Sequence, residues 1–314
     1  MKKDSKIYVA GHRGVAGTAL CELLSEKGYS NVVIKSRAEL ELTDFTQVHK
    51  FFEYERPEYV FLLAGKAGGI KDKIEHPVEF FEQNIRLQVN IMSSAQKFGV
   101  KKLLFMGSVY AYPSGAPQPI KEESLLTGSI GSPLDEPYAL AKIAGVKMCD
   151  AYRQQYGCNF FSVMPCVFFG KGSSFDLTRA SVIPSMMRRM YQAKVDKQPE
   201  FEIWGSGKPV REFLSGKDVA RACLFLMENY DNGGYLNLGN GGIEVSISEA
   251  AEVVKKVIGY QGKLVFNTQK PDGMMRKTMD SSKLLSLGWH PEDTFRQSVE
   301  ALYSYFLEKV EGLS

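Results

Sequence analysis

The heptapeptide Gly11-His12-Arg13-Gly14-Val15-Ala16-Gly17 constrains this chain more than any other stretch. An apolar run, Ile7 to Ala10, precedes it, and a segment with helical patterning, Val15 to Lys27, follows it. That order spells strand, tight turn, helix. The glycines divide the work of such a turn. Gly11 lets the chain reverse sharply, Gly14 lets the backbone approach a pyrophosphate, and Gly17 lets the helix pack against the strand. The free N–H groups and positive dipole end of a helix starting at Val15 would face the phosphates. The spacing GxxGxxG differs from the usual GxGxxG, and glycines cluster in many turns, so the motif needs support from the rest of the chain.

The 314 residues suit one large domain with a smaller one attached. A net charge of +3 gives no argument for nucleic acid or a membrane surface. No apolar run is long enough to span a bilayer, and no signal-like segment separates Met1 from the first strand. Cys21, Cys149, Cys158, Cys166 and Cys223 are scattered, without metal-ligand spacing. The expectation is a cytoplasmic protein with reduced thiols and no metal.

Taken in order, the chain alternates strand-like and helix-like segments. Asn31 to Ile34 is a short β-branched strand, followed by Lys35, Ser36 and Arg37. A site for NAD would usually place an acid here, to hold the adenosine ribose. Two cations and a hydroxyl, joined by Arg13 from the glycine turn, suit the 2′-phosphate of NADP(H) instead. The alternative is that Lys35 and Arg37 are exposed strand-end charges. Phe45 to Glu55 patterns as a helix, and Glu58 to Ala64 as a third strand. The small residues from Ala64 to Gly69 would let the backbone approach a cofactor. Pro77 to Phe98 is a long helix, Lys101 to Met106 a fourth strand ending in Gly107-Ser108, and Tyr110 to Pro137 a long loop.

Tyr138-Ala-Leu-Ala-Lys142 opens the next helix, which runs to about Tyr156. Positions four apart share a helical face, so Tyr138 and Lys142 can enter one site together. An ammonium beside the phenol would lower its pKa from near ~10 and make it a usable acid–base group. The alternative is an ordinary surface pair. The upstream glycine turn and the Gly-Ser at a strand end favour catalysis. Phe160 to Phe169 reads as a fifth, buried strand. Residues 1–165 are therefore expected to form a nucleotide-binding domain, with segments returning from the C-terminal half. Residues 166–314 are expected to form mainly a substrate domain.

Taken together, GHRGVAG, GKAGGI, EPYALAKIAG, the SVIP segment with Arg188 and Arg189 nearby, IWGSGKPVREF and KPDGMMRK resemble the GDP-L-fucose synthase family over nearly the whole chain. This is an extended branch of the short-chain dehydrogenases/reductases. The resemblance implies an α/β fold: a Rossmann-type, doubly wound parallel sheet with a smaller C-terminal α/β substrate domain. It implies NADPH, a GDP-linked 4-keto sugar, and a homodimer formed through helices 77–98 and 138–156. It implies Ser108, Tyr138 and Lys142 as the reductase triad. Tyr138 would protonate O4, Lys142 would hold the nicotinamide ribose, and Ser108 would hydrogen-bond the substrate oxygen. Asp44 would contact adenine. Trp204 and Arg211 would contact the GDP part, with Arg188 and Lys270 as further candidates, although Trp204 also suits a core position.

Two departures stand out. Tyr110 occupies the position of the family's epimerisation cysteine, and Ser181 that of its epimerisation histidine. Moving a proton at carbon beside a ketone needs a base and an acid of suitable pKa, and serine does not titrate usefully. The parts for hydride transfer remain while both parts for epimerisation are replaced. The expectation is a C4-ketoreductase without C3/C5 epimerase activity, acting on a heptose or a 6-deoxyhexose in capsule or surface-sugar synthesis. Its rivals are the bifunctional GDP-L-fucose synthase and a non-catalytic NADP-binding regulator.

Overall fold

The strands at the centre of the molecule are apolar on both faces, as the inner strands of a parallel sheet must be when helices cover each side. All four residues of the first, Ile7–Ala10, are buried. The computed structural model describes residues 1–130, 134–270 and 272–311. In chain order the elements are β1 (Ile7–Ala10), α1 (Val15–Glu26), β2 (Val32–Val33), α2 (Phe45–Glu55), β3 (Tyr59–Leu62), α3 (Ile70–Glu75), α4 (Pro77–Lys97), β4 (Lys102–Met106), α5 (Glu136–Tyr156), β5 (Phe160–Pro165) and β6 (Val167–Phe169). They continue as α6 (Val182–Val195), β7 (Glu200–Trp204), β8 (Val210–Arg211), β9 (Phe213–Ser215), α7 (Gly216–Asn229), β10 (Tyr235–Leu238), β11 (Val245–Ser246), α8 (Ile247–Ile258), β12 (Lys263–Asn267), β13 (Arg276–Lys277), α9 (Ser282–Ser286) and α10 (Phe295–Glu311).

Six strands pair in the order β2-β1-β3-β4-β5-β10, every pair parallel. This is the expected doubly wound α/β sheet. The order reverses direction between β1 and β3, and ligands of such sheets bind outside the strand ends at that point. Gly11, just beyond β1, and Ala64, just beyond β3, both lie there: a Cβ added to Gly11 would stand 2.6 Å from the Ala64 backbone nitrogen.

A second apolar cluster draws on α6, α8 and α10, with Met187, Met190, Phe201, Phe213, Val254 and Phe306 at its centre. Three short sheets, β11-β8-β13, β12-β7 and β6-β9, frame it. The segment expected as one strand, Phe160 to Phe169, splits at Cys166. Its first half pairs in the main sheet, while β6 leaves to pair with β9.

The long loop after β4 is tied down by buried polar groups. Asn237, fully buried on β10, accepts from the Tyr112 hydroxyl at 2.6 Å and donates to the Ile120 carbonyl at 2.9 Å. Its backbone N–H donates to Glu122 Oε1 at 3.0 Å. Loop order here comes from hydrogen bonds to a distant strand, which periodicity cannot reveal. No helix among the described residues is long and apolar enough to cross a membrane.

Candidate active site

The glycine turn meets its expected geometry. Gly11 has φ of +94°, a conformation that L side chains rarely adopt. A Cβ on Gly17 would lie 2.1 Å from the Gly11 carbonyl oxygen, so α1 crosses the turn too closely for any side chain. Gly14, in contrast, would meet only that oxygen at 3.5 Å and leaves its surface open. Gly14 is the N-cap of α1, which has no side-chain cap and no acid in its first turn. Its free N–H groups and dipole thus suit the phosphates of a dinucleotide. Val15 is half-buried, packing its Cγ1 against the backbone near Gly170 and Gly216.

Beyond β2 the structure adds two acids to the cationic cluster. Arg13 is exposed, and Lys35 is half-buried beyond β2. The Ser36 N–H donates to Glu39 Oε2 at 2.7 Å, and its hydroxyl reaches the same oxygen. Arg37 Nε pairs with Glu41 at 2.6 Å. A 2′-phosphate would take over these donors from Glu39 and Glu41. Asp44 is employed locally: it caps α2, accepting from the Gln47 N–H at 3.0 Å. The structure gives its carboxylate this capping role at the N-terminus of α2.

The candidate catalytic group forms where β4 ends and α5 begins. Lys142 is buried on α5, and its Nζ donates to the Met106 carbonyl at 2.8 Å. That ammonium stands 5.8 Å from the centroid of the Tyr138 ring, so the two residues share one face as their spacing required. Tyr138 is half-buried, with its ring edge-on to Phe80. The electrostatics differ from expectation. Burial pushes the Tyr138 phenol up to about 12, opposed by its hydrogen bond with the Ser108 hydroxyl. Burial also lowers Lys142 to about 8. Desolvation therefore dominates the shifts of both groups in the free protein.

Asn84, which the sequence reading passed over, completes this floor. It is fully buried on α4 and bonds both backbone groups of Lys66, at 3.0 Å each. A Cβ on Gly65 would sit 2.8 Å from Asn84 Oδ1 and 3.3 Å from Lys142 Nζ, so glycine there leaves room beside the lysine. The available signal was a set of polar residues, Asn84, Gln88, Asn90 and Ser94, interleaved with the apolar positions Phe80, Leu87, Ile91 and Ala95 that the helix buries. α3, also unforeseen, brings Lys73 to Asp135 at 2.6 Å, placing its ammonium 4.6 Å from the Tyr110 ring centroid.

In the C-terminal half, Trp204 is 61% exposed, which removes the core-aromatic alternative, and Lys270 lies over its ring at 5.4 Å. Arg211 is half-buried on β8, its Nη1 donating to the Val210 carbonyl at 2.7 Å. Ser181 is exposed at the N-cap of α6 and makes no capping bond, and the 178–180 backbone before it packs on Gly69. Arg188 goes elsewhere. Its guanidinium lies over Phe306 in a groove of about 370 Å³ shared with Phe175, Asp176, Tyr305 and Lys309. It is Arg189 that turns to β7, donating to the Glu202 carbonyl at 2.9 Å. Among the described residues, no group of His, Cys, Asp and Glu side chains could hold a metal ion.

A family model for the NAD dependent epimerase/dehydratase family matches residues 7–239. The chain belongs to that family. Within it, the chain is 47% identical to the putative GDP-L-fucose synthase 2 of Arabidopsis thaliana, over 99% of this chain and 94% of that one. A GDP-6-OMe-4-keto-L-xylo-heptose reductase from C. jejuni superposes with a TM-score of 0.93 at 35% identity, covering 98% of this chain and 99% of that one. A GDP-mannoheptose C4 reductase from Campylobacter jejuni with NADP bound gives a TM-score of 0.89 at 37% identity, covering 98% and 99%. The resemblance to the GDP-L-fucose synthases and the doubly wound fold are thus both borne out.

Proposed function

We propose that this chain is an NADPH-dependent reductase of the C4 ketone of a GDP-linked 4-keto sugar, a heptose or 6-deoxyhexose, and that it does not epimerise C3 or C5. The observation that carries this reading is that Ser108, Tyr138 and Lys142 are retained while Tyr110 and Ser181 replace the family's two epimerisation residues. The likeness to Campylobacter C4 reductases supports it. A role in surface-polysaccharide synthesis in the cytoplasm fits the same reading.

The turn at Gly11, Gly14 and Gly17, the α1 N-terminus and Lys142 would hold the dinucleotide, which when bound supplies the hydride. Ser108 donates a hydrogen bond to the ketone oxygen, and Tyr138 gives it a proton. Burial keeps the phenol protonated and ready to donate. The Lys142 ammonium then lies close enough to stabilise the phenolate left behind. Trp204 offers a face to the guanine, and Arg211 a fork to the phosphates.

A second reading, the epimerising GDP-L-fucose synthase, is favoured by the 47% identity to an Arabidopsis relative. Incubation with a GDP-4-keto sugar and NADP⁺ in deuterated water, followed by NMR, separates the two. Losing two acid–base groups that each supply roughly 10²–10⁴-fold leaves C3 and C5 unlabelled on the reductase reading. Enzyme-dependent deuterium at either carbon would establish the second reading instead.

A further inference from the structure

A second lysine faces the tyrosine that the proposed reaction uses. Lys73 lies on α3, a short helix packed against the C-terminal half of the chain. At its N-cap, a Cβ on Gly69 would stand 2.9 Å from the Thr178 carbonyl oxygen and 3.1 Å from that of Ala180. Within it, buried Asp72 pairs with Lys66 at 3.5 Å and with His76 at 3.0 Å. These contacts fix α3, and Lys73 carries it across to α5. The Lys73 ammonium donates to Asp135 Oδ1 at 2.6 Å, and Asp135 is the residue from which α5 starts. The same ammonium lies 5.5 Å from the ring centroid of Tyr138 and 4.6 Å from that of Tyr110. Both distances fall within the reach of cation–π attraction, roughly 6 Å. Lys142 stands 5.8 Å from the Tyr138 ring, so ammonium groups from two different helices serve one phenol.

The side chains of Lys73 and Asp135 are only 10% and 20% exposed, so solvent and salt screen their charges little. The two charges act on Tyr138 with opposite sign. The Asp135 carboxylate opposes ionisation of the phenol. An ammonium beside the ring favours it and makes the phenol a stronger acid. Lys277, whose ammonium lies 4.2 Å from the Tyr110 ring centroid, also faces the pair and is repelled by Lys73. The attraction between Lys73 and the Tyr138 ring grows as the phenol becomes a phenolate, because the ring then carries a full negative charge. An interaction stronger at that stage than in the ground state speeds the reaction. We propose that Lys73 is a positioning residue for Tyr138: tethered to Asp135, it braces the phenol from α3 and adds a second cation, beside Lys142, to the phenolate left when the ketone oxygen takes the proton. The inference rests on the reading of Tyr138 as the proton donor.

Single-turnover and steady-state reduction of a GDP-4-keto sugar by NADPH test it. Lys73→Met keeps the side-chain stem and removes the cation; Lys73→Gln is read in the same way should that variant not fold. Asp135→Asn keeps an acceptor for Lys73 and removes the opposing charge, and it costs α5 no capping bond, since Asp135 makes none. Lys73→Met should lower kcat and kcat/KM together by roughly 3- to 30-fold, the range of a cation–π interaction, with KM and NADPH affinity unchanged. Lys73→Arg should restore most of the rate. Asp135→Asn should move the rate the other way and raise kcat. A pair that merely clamped α3 to α5 would lose rate in both variants, so a fall in Asp135→Asn like that in Lys73→Met would overturn the assignment. Unchanged kcat in Lys73→Met, or a loss confined to KM, would overturn it as well. Wild-type protein that bound NADPH but reduced no GDP-4-keto sugar would instead overturn the reading of the site, and the inference with it.

Discussion

Tyr138 and Lys142 show how burial rearranges a pair that spacing had placed correctly. Their separation in sequence requires a common helical face, and the structure provides it. Spacing is silent about solvent. Burial raises the phenol to about 12 and lowers the ammonium to about 8, so each group is shifted toward its neutral form in the free protein. Tyr138→Phe removes the proton donor and leaves the packing intact. Turnover of a GDP-4-keto sugar should fall by roughly 10²–10⁴-fold, with NADPH affinity by fluorescence titration unchanged. Lys142 also sets a pH dependence. Its free-enzyme value is lowered to about 8, so its ammonium is present below that pH and lost above it. Accordingly kcat/KM should fall as pH rises through about 8, and a profile flat to alkaline pH would contradict these assignments. Stability runs the other way: unfolded lysine keeps its proton to near ~10.4, so the cost of burying the charge is present below about 8 and fades between the two values.

At the level of elements, the turn between β1 and α1 separates two kinds of glycine. Gly17 is required by packing, since a Cβ there would lie 2.1 Å from the Gly11 carbonyl oxygen. Gly14 faces open space apart from that same oxygen at 3.5 Å. Gly17→Ala should therefore lower the thermal unfolding temperature, with a cost of about 1–3 kcal/mol from overpacking. Gly14→Ala should leave unfolding nearly unchanged and weaken NADPH binding, because the added methyl occupies the surface the pyrophosphate approaches. Calorimetry and NADPH titration of the two variants check both halves. The turn after β2 adds a point that its three polar residues alone did not disclose. Glu39 and Glu41 hold Ser36 and Arg37 through short-range contacts that form only once the chain has turned.

Across the whole molecule, α4 and α5 pack side by side and expose Val78, Phe81, Val89 and Leu140. An apolar surface of this kind on two adjacent helices suits a two-fold contact with a second copy. Light scattering should therefore give twice the 35.1 kDa chain mass, and Val89→Glu should reduce it to that of the monomer. A monomeric wild-type protein would rule this arrangement out. The sequence by itself determined the alternation of strands and helices, the glycine turn, and the common helical face of Tyr138 and Lys142. All of these are local, set by periodicity, backbone freedom and fixed offsets along one helix. Only the tertiary structure decided which distant residues share the cleft. Asn84 reaches Lys66 from α4, and Lys277 lies beside Arg211 through a pairing of strands more than sixty residues apart. It also turned Arg188 toward α10 and gave Asp44 to a helix cap. Side-chain direction and desolvation depend on what the rest of the fold packs around a residue, and no local pattern carries that information.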